Sequence, residues 1–326
     1  MWDERDLIAT YFTPLVRDGE AALGLLDDTA ILTAPADGDL ALTVDTITCG
    51  VHYLPDDPGD EVARKLVRVN LSDLAAMGAR PIGYLLGSAF ARELDTAWIG
   101  QFVEGLARDQ RAYNLALLGG DTTATPGPSS LTLTAVGSVP REAALRRSGA
   151  RPHDIVYVSG TIGDAALGLR LLRGDLAHAS ADDAAVLVQR YRRPEPRVGL
   201  GRTLRERGLA TAAVDVSDGL VADLEHIAAA SGLGVTLDGW RVPISSPAWR
   251  LQESAGVALD DLLTGGDDYE LAFTAPARLG DDVLAAAADA GVAVAPIGRA
   301  VAGEGVHLRD AAGRTRDLTS TGWRHG

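Results

Sequence analysis

Aspartates close several apolar, strand-like segments of this sequence. A charged side chain at the end of a buried strand is costly unless it is paired, hydrogen-bonded or bound to a metal. Most of these segments lack a lysine or arginine, so a bound cation is the favoured partner. Carboxylate oxygens without clusters of His or Cys favour Mg²⁺ or Mn²⁺ over zinc. Asp45, Asp121, Asp215 and Asp218 lie at the ends of such segments, and Asp27 and Asp28 precede the apolar run 30–32.

Asp73 interrupts an apolar helical stripe. Asp60 can cap a helix over 61–77, which Gly78 then stops. One face of that helix carries Val62, Leu66, Val69, Asp73 and Met77. Since the rest of this face is apolar, we expect the Asp73 carboxylate to point into the core or into a cleft.

Some of these features have simpler alternatives. Asp218 precedes a glycine and fits a helix cap, and the pair Asp27 and Asp28 fits a turn. The segment 159–164 (SGTIGD) joins a strand to a helix, where backbone N–H groups can bind phosphate, although such glycines more often serve tight packing. His52 is by default an ordinary core or loop histidine. From the residues alone, the sequence predicts an acidic, metal-dependent enzyme that acts on phosphates.

Composition excludes several classes of protein. The net charge of −15 disfavours binding to the nucleic-acid backbone, and the single Cys49 allows neither an intrachain disulfide nor a Cys-based metal site. The only lysine, Lys65, does not follow a glycine-rich loop, so a GxxxxGK[ST] phosphate loop is absent. The sequence shows neither a signal peptide nor a long apolar run. We therefore expect a cytoplasmic protein without a membrane partner.

Strands and helices alternate along the chain, which favours an α/β or α+β fold. Residues 40–45 alternate as in a half-buried strand, with Asp45 on the face opposite to the leucines. A Pro- and Arg-containing interruption predicts a domain boundary at about 140–152. The predicted helices are 4–12, 61–77, 94–113, one from Asp164, and 220–230; the predicted strands are 40–46, 81–90, 115–118, 131–139, 155–159, 212–216, 271–274 and 292–297.

Longer strings occur in a fixed order along the chain. They are LTVDT (42–46), GVHY (50–53), VNLSDLAAMGA (69–79), LGGDTT (118–123), LRRSGA (145–150), VSGTIGDAA (158–166), VDVSDGL (214–220) and GGDDYEL (265–271). Together they resemble the thiamine-monophosphate kinase family over about residues 27–323.

The resemblance implies the two-domain fold shared with aminoimidazole ribonucleotide synthetase. Residues 1–140 would form the N-terminal ATP/Mg-binding domain, whose sheet pairs with its twin in a homodimer, and 141–326 the C-terminal α/β domain. It also implies that ATP phosphorylates thiamine monophosphate to thiamine diphosphate, with several Mg²⁺ ions.

The resemblance carries over to individual residues. The family's Mg²⁺ positions fall on Asp28, Thr43, Val44, Asp45, Asp73, Asp121, Asp215 and Asp218. Its ATP contacts fall on Gly120, Asp121, Arg147 and Ser217, and its contacts to thiamine monophosphate on His52, Asp267 and Trp323.

The chain departs from the family pattern at three places. The usual Gly-Ile-Gly-Asp-Asp is 24–28 (GLLDD), which stiffens the loop before the acidic pair. Val44 replaces a Ser or Thr, so a metal contact there must use the backbone carbonyl. Asp267 replaces a Glu and is one methylene shorter.

Phosphoryl transfer depends on alignment and charge neutralisation more than on covalent chemistry. The acceptor is itself an ionised phosphate, so we assign no catalytic base and expect direct in-line transfer. The alternatives within the superfamily are aminoimidazole ribonucleotide synthetase, selenophosphate synthetase and a hydrogenase-maturation protein. From another class, the alternative is a nucleotide-binding sensor or scaffold without turnover.

Overall fold

The computed structural model describes residues 4–16, 21–25, 29–176, 179–318 and 322. The chain divides into two compact units, Met1–Leu74 with Ala79–Glu142, and Ala75–Gly78 with Ala143–Gly326. Within the described ranges, no helix has the length and apolar character needed to cross a membrane.

The first unit contains a mixed four-stranded sheet. Its strands are β1 (Gly38–Thr48), β2 (Arg80–Ala91), β3 (Ala116–Thr125) and β4 (Ser130–Pro140), in the order β1-β4-β2-β3. Strands β2 and β3 are parallel, and the pairs β1–β4 and β2–β4 are antiparallel. Its helices are α1 (Glu4–Leu7), which continues as a π-helical turn (Ile8–Phe12), α2 (Gly59–Ala76) and α3 (Thr96–Tyr113).

Helices α2 and α3 pack closely through a small residue and a buried ion pair. A Cβ atom at Gly105 of α3 would lie 2.4 Å from the carbonyl oxygen of Asp60, so only glycine permits this approach. Asp109 of α3 accepts hydrogen bonds from Arg64 and Arg68 of α2, and the Arg68 Nε–Asp109 Oδ2 distance is 2.7 Å. These contacts fix α2, the helix that carries Asp73.

The second unit contains a seven-stranded mixed sheet of order β11-β10-β7-β9-β5-β8-β6. Its strands are β5 (Ile155–Ser159), β6 (Ala212–Asp215), β7 (Gly234–Asp238), β8 (Leu271–Ala275), β9 (Val294–Val301), β10 (Val306–Arg309) and β11 (Thr315–Arg316). Its helices are α4 (Asp164–Leu172), α5 (Ala181–Arg192), α6 (Val198–Glu206), α7 (Leu220–Ser231), α8 (Ser246–Ala255), α9 (Leu259–Leu263) and α10 (Gly280–Asp289).

Apolar residues of the central strands pack against helices on the sheet. One core cluster joins Val156 and Val158 of β5 to Leu224 of α7, and another joins Phe273 of β8 to Leu204 of α6. Strands buried in this way read as short apolar runs in the sequence, which is why β5, β6 and β8 were predictable.

The α/β class and the two-domain architecture predicted from the sequence are confirmed by the fold and by the relatives described below. Strand β3, however, does not end before Asp121 as predicted but continues to Thr125, with Gly120 paired to Leu86 of β2. The prediction stopped at the glycines because Gly weakens a strand by default. A Cβ atom at Gly120 would lie 2.0 Å from the Leu86 carbonyl oxygen, so here glycine allows the pairing.

The alternation predicted for β1 is present, and the structure shows that its leucine face is the exposed one. Leu42 and Val44 are 66% and 59% exposed, and Leu40 is exposed as well. The face with Thr43 and Asp45 is the partly buried one. Period 2 separates the two faces of a strand, but the elements packed on the sheet determine which face is covered.

Candidate active site

Thr43, Asp45 and Asp73 meet where β1 lies against α2. The Thr43 hydroxyl donates a hydrogen bond to Asp73 Oδ2 at 2.5 Å. One turn earlier on α2, Asn70 Oδ1 accepts the backbone N–H of Asp45 at 3.2 Å, and its own side chain donates to the Leu66 carbonyl. The prediction that Asp73 points into a cleft or the core agrees with this placement. Met77, the last residue of the predicted stripe, lies beyond α2 and is exposed.

Two carboxylates in this position repel each other. Burial raises the pKa of Asp45 to about 7, and the charge of Asp73 and a hydrogen bond that protonated Asp45 donates to Asp73 act in the same direction. Either a proton or a cation must therefore compensate the pair near neutral pH. Because the donor atoms are carboxylate and hydroxyl oxygens, the arrangement suits a hard divalent cation.

A cavity of about 670 Å³ lies in the first unit, on the sheet face that carries Asp121. Asp121 and Gly120 are exposed residues of β3, and Gly119 and Gly120 bring backbone to the cavity wall. Thr132 and Thr134 of β4 add hydroxyl groups. The remaining lining is largely apolar, which is typical of a site for a small molecule or cofactor. The apolar lining includes Ile8, Phe12, Ala22, Leu25, Leu85 and Leu117.

His52 is held in one tautomer by its own loop. Its Nδ1 atom accepts the backbone N–H of Thr48 at 3.1 Å, so in the neutral ring the proton is on Nε2. The Lys65 ammonium, itself buried, donates to the His52 carbonyl oxygen at 3.1 Å. The ring therefore offers a donor at Nε2 from a fixed loop.

In the second unit, Asp215, Ser217 and Asp218 lie at the end of β6 and in the loop before α7. Asp215 is buried, and Ser217 and Asp218 are half-buried. This loop is held by Asp223, whose Oδ2 accepts the N–H groups of Ser217, Asp218 and Gly219 at 2.9, 3.1 and 3.2 Å. The N-cap residue of α7 is Gly219, so Asp218 does not occupy the capping position that the alternative for Asp218 gave it.

Asp223 was missed by the sequence reasoning. Burial and then the charge of Asp218 raise its pKa to about 7, despite its three N–H partners. Side-chain ligand atoms of Asp218, Asp223 and His226 lie within 4.8 Å of one another. The sequence feature that could have identified Asp223 is its place in the first turn of a helix that follows Gly219. Backbone N–H groups at the start of a helix lack partners within the helix and favour an acidic side chain there.

The turn 159–164 does not form a phosphate site. The N–H groups of Gly160 and Ile162 donate to the Ala293 and Pro243 carbonyls, and the Gly163 N–H donates to the Asp268 carboxylate. A Cβ atom at Gly160 would lie 2.0 Å from Glu270 Oε1. The tight-packing interpretation of these glycines is therefore confirmed.

Asp267 lies in the segment 265–269, which packs on the Ser217 loop. Its N–H donates to the Ser217 carbonyl at 2.7 Å, and its side chain is half-buried. Arg147 is exposed in a segment without regular structure, and its carbonyl accepts a 3.4 Å hydrogen bond from Ser231. Asp28 and Trp323, like Leu26 and Asp27, lie outside the described residues.

Comparison with known proteins decides the family. Residues 26–139 match the N-terminal domain of AIR synthase related proteins, and residues 151–311 match the C-terminal domain. The chain is 44% identical to the thiamine-monophosphate kinase of Caulobacter vibrioides over 328 residues, which covers 99% of this chain and 91% of the relative. It is 46% identical to that of Escherichia coli K12 over 276 residues, covering 84% of this chain and 82% of the relative.

The chain belongs to the thiamine-monophosphate kinase family.

Solved structures of thiamine-monophosphate kinases share the fold. The enzyme from Stenotrophomonas maltophilia K279a superposes with a TM-score of 0.82 at 43% identity, covering 93% of this chain and 94% of that chain. AaThiL, solved in complex with AMPPCP and TMP, superposes with a TM-score of 0.80 at 30% identity, covering 92% and 91%. E. coli HypE, a hydrogenase maturation protein, has a TM-score of 0.78 at 24% identity, covering 97% of each chain, and shows the fold alone.

Proposed function

We propose that this chain transfers the γ-phosphoryl group of ATP to thiamine monophosphate, which yields ADP and thiamine diphosphate. The observation that carries this proposal is the 44% identity to a thiamine-monophosphate kinase across 99% of the chain. A relative that superposes over 92% of the chain was solved with an ATP analogue and TMP, which supports both substrates.

We further propose that several Mg²⁺ ions bind at the oxygen ligands of both units. The contact of Thr43, Asp45 and Asp73, together with the raised pKa of Asp45, supports a cation in the first unit. Val44 has only its backbone carbonyl to offer, since its side chain is apolar and exposed. When bound, Mg²⁺ supplies charge neutralisation on the phosphate oxygens. The proposed set is Asp28, Thr43, Val44, Asp45, Asp73, Asp121, Asp215 and Asp218.

The chain's own groups bind and orient the two substrates. Gly120, Asp121 and Ser217 contact ATP, and the exposed guanidinium of Arg147 adds a fixed positive charge on its phosphates. His52 donates from Nε2, because Nδ1 already accepts the Thr48 N–H. Asp267 and Trp323 complete the site for thiamine monophosphate. No general base is required, since the acceptor oxygen belongs to an ionised phosphate.

We also propose that residues 1–140 form the ATP/Mg-binding and dimerisation domain and that 141–326 form the C-terminal α/β domain. The exposed apolar row Leu40, Leu42 and Val44 on β1, with Leu85 on β2, supports pairing of the sheet with a second copy of the chain. The cytoplasmic location stays a prediction.

The decisive experiment incubates the purified protein with ATP, Mg²⁺ and thiamine monophosphate and measures thiamine diphosphate and ADP. We expect equal amounts of the two products and no activity in excess EDTA. In the control, free thiamine replaces thiamine monophosphate. It should react poorly, because the proposed metal ions align the acceptor through its phosphate, which thiamine lacks. ATP binding without any thiamine diphosphate would favour the sensor alternative instead.

A further inference from the structure

The segment that carries Asp267 has an unfavourable backbone conformation. We define the acceptor loop as residues 265–269. Gly266, Asp267 and Tyr269 have φ values of 72°, 67° and 51°. Left-handed conformations are unfavourable for residues with a Cβ atom, so Asp267 and Tyr269 hold them only because their surroundings enforce them.

Backbone contacts clamp the acceptor loop on one side. The N–H groups of Asp267 and Tyr269 donate to the Ser217 and Val216 carbonyls, both at 2.7 Å. A Cβ atom at Gly266 would lie 2.6 Å from the Ser217 carbonyl oxygen, so the two segments are in close contact. The acceptor loop is therefore held directly against the loop that carries Ser217.

The residue that directly follows the acceptor loop is Glu270, whose carboxylate is fully buried. Arg197 donates to it from Nε and Nη2, both at 2.6 Å, and Arg190 donates at 2.5 Å. The Ser159 hydroxyl donates at 2.6 Å and accepts the Leu271 N–H at 2.8 Å. We call Ser159, Arg190, Arg197 and Glu270 the anchor cluster.

The anchor cluster joins distant parts of the second unit at one point. Arg190 comes from the end of α5, Arg197 directly precedes α6, and Ser159 ends β5. Gly160 leaves the space that the Glu270 carboxylate occupies. Burial by itself would raise the pKa of Glu270, but the hydrogen bonds and charges of Arg197 and Arg190 outweigh burial and hold this pKa below its ordinary value.

A buried ion cluster of this kind is a weak source of net stability, because removing charges from water offsets their attraction. Its geometric effect is strong, since a guanidinium that donates two hydrogen bonds holds a carboxylate in one orientation. Glu270 directly follows Tyr269 and lies three residues after Asp267. Anchoring this carboxylate therefore fixes the C-terminal end of the strained loop.

We propose that the anchor cluster is a positioning element for the acceptor, in which Arg197 and Glu270 hold the acceptor loop so that Asp267 meets thiamine monophosphate. This inference rests on the proposed function. The cluster contains none of the residues proposed above to contact either substrate, so its loss is expected to weaken acceptor binding more than ATP binding or chemistry.

The test compares Arg197→Lys with wild type by steady-state kinetics and by calorimetric binding of thiamine monophosphate. Lysine keeps the charge but loses the bidentate contact. We expect KM and Kd for thiamine monophosphate to rise about 5-fold or more, with KM for ATP changed less than about 2-fold and kcat nearly retained. Ser159→Ala removes one hydrogen bond to Glu270 together with the acceptor of the Leu271 N–H, and it should raise the acceptor KM in the same direction by a smaller factor.

Arg68→Lys is the matched control, because Arg68 also makes a buried, two-nitrogen contact with a carboxylate, that of Asp109. It should lower the melting temperature without changing the acceptor KM. An unchanged acceptor KM in Arg197→Lys, or an equal rise in Arg68→Lys, overturns the inference. If Arg197→Lys does not fold, Ser159→Ala decides alone. A wild-type chain that neither converts nor binds thiamine monophosphate overturns the proposed function and the inference together, whereas an active wild type with unchanged variants overturns the inference only.

Discussion

At the scale of single residues, the adjacent carboxylates of Asp45 and Asp73 in the candidate active site lower the stability of the folded, metal-free protein. Each carboxylate is placed next to the other by β1 and α2, and the cost appears as the raised pKa of Asp45. A stabilising acid has a different environment, as in Asp109, which is buried between Arg64 and Arg68. Replacing an aspartate by asparagine should therefore affect the melting temperature differently for the two kinds of acid.

Asp73→Asn should therefore abolish turnover without destabilising the metal-free protein. Removing one of two repelling carboxylates leaves the melting temperature in EDTA unchanged or raised, while kcat should fall at least about 100-fold through the loss of a metal ligand. Asp109→Asn is the contrasting variant and should lower the melting temperature, because two arginines lose their charged partner. Thermal melting and product formation are measured for both, and near wild-type activity of Asp73→Asn would contradict the ligand assignment.

Asp45 links the stability of the metal-free chain to pH. Its folded-state pKa of about 7 lies above the ordinary value of 3.8 for an aspartate, so the folded state binds the proton more tightly. This contribution to stability is fully present below the unfolded-state pKa and is lost as the pH rises through about 7. Between about pH 6 and pH 8 the free energy of unfolding should fall by about 1.4 kcal/mol for this group.

Asp223 should contribute a loss of the same sign, because its pKa is also raised to about 7. In EDTA, Asp45→Asn should reduce the loss between pH 6 and pH 8 by about 1.4 kcal/mol, the part that Asp45 contributes. Urea-unfolding midpoints of wild type and variant at the two pH values measure this difference. An equal loss in both proteins would mean that Asp45 is not titrating in that range.

At the scale of elements, the close approach of β2 and β3 depends on one glycine. A Cβ atom at Gly120 would lie 2.0 Å from the Leu86 carbonyl oxygen, whereas at Gly119 its nearest neighbour is the Leu85 side chain at 3.5 Å. Gly120→Ala should therefore force the paired strands apart and destabilise the protein by about 2 kcal/mol or more. Gly119→Ala is the control and should be nearly neutral; equal urea-unfolding midpoints for the two variants would contradict the steric argument.

At the scale of the whole molecule, the exposed apolar face of β1 allows the proposed dimer to be tested. Leu42→Lys combined with Val44→Lys places two charges on that face and should convert a dimer to a monomer at micromolar concentration, because charges are unfavourable in the core of an interface. Leu284→Lys introduces the same charge at an exposed leucine of α10 and should leave the dimer intact. Light scattering after size-exclusion chromatography gives the masses, and a dimer that survives the double variant would place the interface elsewhere.

The sequence by itself determined the local elements and the family. Apolar runs such as 155–159 and the periodic stripe of α2 specify strand and helix through short-range geometry, and the ordered strings around Asp45, Asp73 and Asp267 carry the resemblance. The same patterns placed Asp73 on a distinct face, because 3.6-residue periodicity relates positions within one helix.

Three features follow from tertiary contacts and not from local patterns: the exposed face of β1, the hydrogen bonds from the Ser217 loop to Asp223, and the pairing of Glu270 with Arg190 and Arg197. A period relates residues of one element to one another, but it does not specify what packs against each face. Glu270 and its arginines are separated by more than 70 positions along the chain, and no local pattern relates them. Their contact exists because the fold of the second unit brings the ends of α5, α6 and β5 to one buried point, where an unpaired carboxylate would be too costly to keep.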